Sequence, residues 1–208
     1  MERLILASGN AGKIAELRAL LRTLPLQLVS PAELGLEDRI PETGGDYASN
    51  AQLKARAMAQ RSGGWALADD SGLEVDALDG APGLHSARLA GPGGTDADRR
   101  AHLLALLRPH PRPWTARFRC TLALAHPRHG VELAEGVCEG EVLPHERGSG
   151  GFGYDPLFLV DGTTSTMAEL PMEAKNVLSH RAAAVRTLLP VLREHMGLDT
   201  EGGRIDRS

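Results

Sequence analysis

The chain is short of several residue types, and each shortage excludes something. Only seven of its 208 residues are aromatic, too few and too clustered for an RNA-binding face. Its two cysteines, Cys120 and Cys138, make neither a disulfide framework nor a cysteine zinc site, and they read as buried reduced thiols. No apolar run reaches the length of a membrane span, and the start of the sequence lacks a signal-peptide pattern. The expected setting is therefore the cytoplasm, with no membrane partner. There is no excess of positive charge either: the formal net charge is −4, which argues against a nucleic-acid partner.

Lysine and asparagine are scarcer still. The only lysines are Lys13, Lys54 and Lys175, against 20 arginines, and the only asparagines are Asn10, Asn50 and Asn176. Each Lys lies within four residues of an Asn. Lysine is a compact point charge on a thin stem, arginine a planar fork. A chain that uses Arg almost everywhere, yet keeps Lys at three places, points to a crowded anionic ligand such as a polyphosphate.

What is present is globular. Hydrophobic residues make up 42% and charged residues 24%, which supports one domain over residues 1–196 and a polar tail over 197–208. Residues 2–7 read as a buried strand. Ile14, Leu17, Leu20, Leu21 and Leu24 then recur at helical spacing until Pro25, and residues 26–30 form a second strand. This β-α-β opening predicts parallel pairing. An Ala-rich helix spans about 46–61, closed by Gly63 and Gly64. Residues 65–69 read as a short strand that ends at two aspartates, with a further strand at 73–78. A helix starts near Thr95, a good N-cap. Residues 114–125 and 131–143 alternate as an antiparallel hairpin. A short strand at 157–160 and a helix from about Ser179 to Glu194 complete the pattern. The fold class is α/β with a mixed sheet, parallel at first and antiparallel later.

Five segments carry chemistry. Ser8-Gly9-Asn10-Ala11-Gly12-Lys13 joins a strand to a helix N-terminus, where free N–H groups and the helix dipole favour an anion. It lacks the spacing of a Walker A loop. Asn50 and Lys54 are i, i+4 and share a helix face. Asp69 and Asp70 are adjacent, so they point oppositely; one is free to bind metal or activate water while the other holds the loop. Hard carboxylate oxygens there, with Glu42 as a third, suit Mg²⁺. Phe152-Gly153-Tyr154-Asp155, within a Gly-rich loop, suits a stacking platform for a planar base. Lys175, His180 and Arg181 offer donors for phosphate or base carbonyl oxygens.

Together these segments resemble the inosine triphosphate pyrophosphatase family in its bacterial branch, the dITP/XTP pyrophosphatases. The resemblance runs through Ser8–Lys13, Glu42-Thr43-Gly44, Asn50-Ala51 with Lys54-Ala55, Ala68–Leu73 through Gly80–Gly83 and Ser86–Arg88, Gly151–Phe158, and Lys175-Asn176 with Ser179–Ala182. It spans about residues 3–195. Ser49 departs from the family, which carries Glu before Asn-Ala.

The resemblance implies Mg²⁺-dependent hydrolysis of ITP, dITP and XTP to monophosphate and pyrophosphate, which clears deaminated purines from the nucleotide pool. It implies two lobes around a central cleft, and a homodimer. Ser8–Lys13 would cradle the triphosphate. Asp70 would be general base and metal ligand, with Glu42 as second metal contact. Ser71 would touch substrate. Phe152–Asp155, Lys175, His180 and Arg181 would hold the nucleotide and its base. Independently of the resemblance, Lys13, Lys54, Lys175 and Mg²⁺ would offset the negative charge of a triphosphate. A binding regulator that does not hydrolyse, or a phosphohydrolase of modified pyrimidine nucleotides, is the alternative that a substrate panel separates.

Overall fold

The computed structural model describes residues 2–37 and 40–198. The polar tail expected from 197 onward therefore falls mostly outside the described residues. One six-stranded sheet organises the chain, in the order β2-β1-β3-β4-β5-β6. β1 (Glu2–Leu6) pairs in parallel with β2 (Leu26–Val29) and with the start of β3 (Trp65–Val75). β4 (Trp114–His126) and β5 (Gly130–Val142) form the long antiparallel hairpin, and β6 (Phe158–Val160) closes the far edge.

The helices start where polar caps satisfy their free N–H groups. Asn10 caps α1 (Ala11–Leu21) and Asp46 caps α2 (Tyr47–Ser62). Thr95 and Asp98 form a reciprocal capping box on α3 (Asp96–Leu107). Ser179 caps α5 (His180–His195), which runs through Pro190 on its exposed side. The sequence pattern did not anticipate α4 (Met172–Leu178), seven residues started by Pro171 and too short to display a helical period.

Strand alternation sorts the two sheet faces. Trp65 and Leu67 pack with Leu17 and Leu21 of α1 and with Val185, Leu188 and Leu192 of α5. Ala66 and Ala68 point the other way, onto Ala51, Ala55 and Met58 of α2. A separate cluster lies at the far end of the long strands, where Leu103 and Leu107 of α3 meet Leu73, Val75, Phe118 and Phe158. Each such fully buried side chain contributes about 1.5–3 kcal/mol. α5 crosses β5 at Gly136, where a Cβ would lie 2.2 Å from the His180 carbonyl oxygen, so only glycine permits this approach.

One expectation is corrected here. Residues 65–69 and 73–78 are not two strands, and the aspartates do not sit at a strand end. β3 is continuous through Val75, because β4 stays paired with it from Ala66 to Val75. What ends at Leu67 is only the parallel pairing with β1. Asp69 and Asp70 follow at once, in the middle of a strand that has lost one neighbour.

Candidate active site

That lost neighbour creates the site. Beyond Leu67 the edge of β3 faces the loop from Ser8 to Asn10, and Ala7 N–H still donates to the Leu67 carbonyl at 2.8 Å. Asn10 Oδ1 accepts from the Lys13 N–H at 3.1 Å, and Ser8 Oγ from the Asn10 N–H at 3.1 Å, so the loop is pinned as it enters α1. Ser8, Gly9 and Ala11 lie open or half-open beside it. Gly12 packs under the ring of Phe152: a Cβ there would lie 2.5 Å from Phe152 Cδ1.

Asp70 faces α2. Its Oδ1 accepts from Lys54 Nζ at 2.8 Å, and its Oδ2 from Asn50 Nδ2 at 3.3 Å. Lys54 Nζ also reaches Glu42 Oε1 at 2.9 Å and the Asp69 carbonyl at 2.7 Å. Asn50 Oδ1 in turn accepts from the Gly44 N–H at 2.8 Å and holds the loop that carries Glu42. The helical i, i+4 spacing of Asn50 and Lys54 therefore delivers an amide and an ammonium to one carboxylate. Burial pushes the Asp70 carboxyl above its ordinary value, with Lys54 opposing. Glu42 is lowered: burial works against its charge, but Lys54 outweighs it.

Asp69 faces α1 and α5, and it is fully enclosed. Arg181 Nε donates to its Oδ2 at 2.7 Å, Cys120 Sγ to the same oxygen at 3.1 Å, and Ser71 Oγ to Oδ1 at 3.1 Å; Lys13 pairs with Oδ1. Burial opposes its charge, yet Arg181 and Lys13 hold its carboxyl well below the usual range. The network continues inward. Arg181 pairs with Glu16, Glu16 with Lys175 at 2.7 Å, and Lys175 with Asp155 at 2.8 Å. Asp155 Oδ2 also accepts from the Phe152 N–H at 3.1 Å and so fixes the loop.

Above this chain of charges lies a cavity of about 160 Å³, bordered by Lys13, Ser71, Phe152, Lys175, His180 and Arg181 among others. Lys175 Nζ and Arg181 Cζ lie 6.0 and 5.9 Å from the Phe152 ring centre. His180 stacks on Phe118 at 4.9 Å, and its buried Nδ1 finds no protein partner. Burial, with help from Arg181, pushes its imidazole well below 6.5, so the ring is neutral.

The expected residues thus assemble into two groups on opposite faces of one strand. Glu42, Lys54 and Asp70 lie on one; Lys13, Ser71, Phe152, Gly153, Asp155, Lys175, His180 and Arg181 lie on the other. Tyr154 borders the cavity, but its ring is core and its hydroxyl donates to the Ser86 carbonyl at 2.8 Å. Phe152 is the half-exposed aromatic of that loop. Sequence reasoning missed Glu16 and Cys120. Glu16 was detectable as a carboxylate one turn beyond Lys13, flanking the apolar stripe of α1; Cys120 carried no local signal.

Glu42 and Asp70 also fit a hard cation. Both carboxylates already converge on one ammonium, which marks a place that holds positive charge between two oxygen donors. Among the described residues no three His, Cys, Asp or Glu side chains form a ready metal cluster. A cation here would take two carboxylates and keep water or phosphate oxygens for its remaining positions.

Comparisons with known proteins agree with one another. A sequence model described as the Ham1 family matches residues 4–191. A dITP/XTP pyrophosphatase of Desulforamulus reducens is 49% identical over 191 residues, 91% of this chain and 95% of that protein. One of Xanthomonas campestris pv. campestris is 52% identical over 192 residues, 90% of this chain and 96% of that protein. Among solved structures, a HAM1 protein from Coxiella burnetii superposes with a TM-score of 0.83 at 41% identity, covering 93% of this chain and 100% of that one. A nucleoside-triphosphatase (dITP/XTP pyrophosphatase) from Mycobacterium abscessus superposes at 0.71 with 40% identity, covering 91% of this chain and 100% of that one.

Proposed function

The chain belongs to the Ham1 family, and from that premise we propose that it hydrolyses the triphosphates of deaminated purines, ITP, dITP and XTP, to monophosphate and pyrophosphate. The observation that carries the reading is the division of β3. A carboxylate–ammonium cluster on one face and an aromatic-capped cavity on the other are bridged by Lys13 and the helix N-terminus of α1. That arrangement suits a ligand with an anionic chain at one end and a flat, polar ring at the other.

The base enters the cavity and stacks on Phe152. A purine with oxygen at position 6 accepts hydrogen bonds there, whereas adenine presents an amino group. Arg181 donors facing an amino group would leave both sides unpaired, at about 1–3 kcal/mol per group. His180, neutral and with Nδ1 free of protein partners, completes the polar contacts to the ring. The triphosphate lies along Ser8–Lys13, where unpaired N–H groups and Lys13 meet its charge.

Glu42 and Asp70 would hold Mg²⁺, which supplies charge neutralisation and a lowered pKa for bound water. In the reaction a water oxygen bonds to the α-phosphorus as the bond from that phosphorus to the bridging oxygen breaks. Asp70 takes the water proton, and pyrophosphate leaves. Lys54 holds Asp70 in place and faces the phosphate side. No step requires a covalent intermediate with the protein.

We further propose that the chain works in the cytoplasm as a homodimer. Light scattering on the purified protein tests the dimer. For the activity, the test is a panel of ATP, GTP, ITP, dITP and XTP with Mg²⁺, products separated by chromatography. The expected result is monophosphate and pyrophosphate from the last three and little from ATP or GTP. No turnover of any member returns the chain to the class of binding regulators.

A further inference from the structure

We propose that Asp96 and Arg100 of α3 are positioning residues that clamp Gly153 and so hold the Phe152 ring where the purine base stacks. The inference rests on the base-binding reading of the cavity given above. Both backbone polar groups of Gly153 are taken by one helix. The Gly153 N–H donates to Asp96 Oδ2 at 2.7 Å, and Arg100 Nη1 donates to the Gly153 carbonyl at 2.9 Å. Asp96 and Arg100 are i, i+4, so they project from one face of α3 as a matched acceptor and donor. Hydrogen bonds to ionised groups are the stronger kind.

The clamp is itself held. Arg100 Nε lies 2.9 Å from Glu146 Oε1. Asp96 pairs with Arg99, whose Nε and Nη2 donate to the Ala87 and Gly94 carbonyls at 2.8 and 2.7 Å. Thr95 and Asp98 cap the helix, and Leu103 and Leu107 anchor it in the far core. On the other side of the aromatic, the Phe152 N–H is held by Asp155, which Lys175 holds in turn. Phe152 is thus tied at its own N–H to α4 and at the next residue to α3. Moving the backbone that carries the ring away from Gly12 breaks one of these ties. Neither Asp96 nor Arg100 has to touch the nucleotide to control how well the base stacks.

Steady-state kinetics with ITP on Asp96→Ala, Asp96→Asn, Phe152→Ala and the Asp96→Ala/Phe152→Ala double variant test the clamp. Loss of one charge-assisted hydrogen bond on a binding element should raise KM about tenfold in Asp96→Ala, with a smaller fall in kcat. Asp96→Asn should recover most of the loss, because its amide oxygen still accepts from the Gly153 N–H. If the clamp acts through Phe152, Asp96→Ala should change KM by less than about twofold once the ring is gone. An unchanged KM in Asp96→Ala, or an effect that multiplies with that of Phe152→Ala, overturns the clamp and leaves the stacking platform standing. A wild-type KM in Phe152→Ala overturns the platform reading and the clamp with it. Should Asp96→Ala not fold, Arg100→Met opens the clamp from the carbonyl side with the same expected pattern.

Discussion

Asp69 and Asp70 are neighbours on one strand, and the two faces of the sheet give them opposite environments. Asp69 is enclosed by Arg181, Lys13, Ser71 and Cys120, and those cations hold its carboxyl well below the ordinary range. Asp70 has Lys54 and Asn50 on one side and opens toward Glu42 on the other, and burial raises its carboxyl. The fold thus stabilises the charge of one aspartate and works against the charge of the other. A carboxylate whose cations outweigh its burial is a poor base, and one whose burial outweighs its single ammonium partner is a better one. The pair teaches that position in the motif does not assign the role; the face of the strand does.

The largest effect should come from Asp70→Asn. It should lower turnover of ITP by about 10²–10⁴-fold, the range for losing a positioned general base, with KM changed little. Its melting temperature should change little, since burial disfavours the charge removed while Lys54 loses one of its two carboxylate partners. Wild-type turnover would remove Asp70 from the chemistry.

Next in size is Asp69→Asn. Here the expected loss is stability, because Arg181 and Lys13 are left without their shared counter-charge in a buried place. Breaking such a pair costs about 3–5 kcal/mol. Chemical denaturation should report it, and a variant as stable as the parent would mean that the network is not structural.

The smallest effect lies at His180, on the Asp69 face. Burial and Arg181 keep its folded pKa below 6.5, while the unfolded chain titrates near that value. Between the two pKa values the unfolded chain binds the extra proton. The contribution to stability is therefore present above pH 6.5 and lost as the pH falls toward the folded pKa. Melting curves of His180→Gln should decline less steeply below pH 6.5 than those of the parent; parallel declines would contradict the buried neutral imidazole.

Much of this was readable in the sequence, for reasons that are local. Thr95, Ser179 and Asp46 announce helix starts because capping needs only three or four residues of chain. The β4–β5 hairpin is readable because alternation has a period of two. Lys54 and Asn50 share a face by helical geometry alone. The unread parts depend on distant partners. The bond from Arg181 to Asp69 spans 112 positions, and no local pattern encodes it. The length of β3 depends on β4, whose first residue, Trp114, comes 45 positions after Asp69, the strand's apparent end. α4 was hidden by its seven-residue length. Glu16 looked like an ordinary helix carboxylate until Lys175 and Arg181 were folded onto it.

The central claim is attack of water at the α-phosphorus, and isotope labelling tests it most directly. Hydrolysis of ITP in ¹⁸O-enriched water, followed by mass spectrometry of the separated products, locates the new oxygen. The account predicts ¹⁸O in the inosine monophosphate and none in the pyrophosphate. Label in the pyrophosphate, or release of diphosphate and free phosphate, would contradict it.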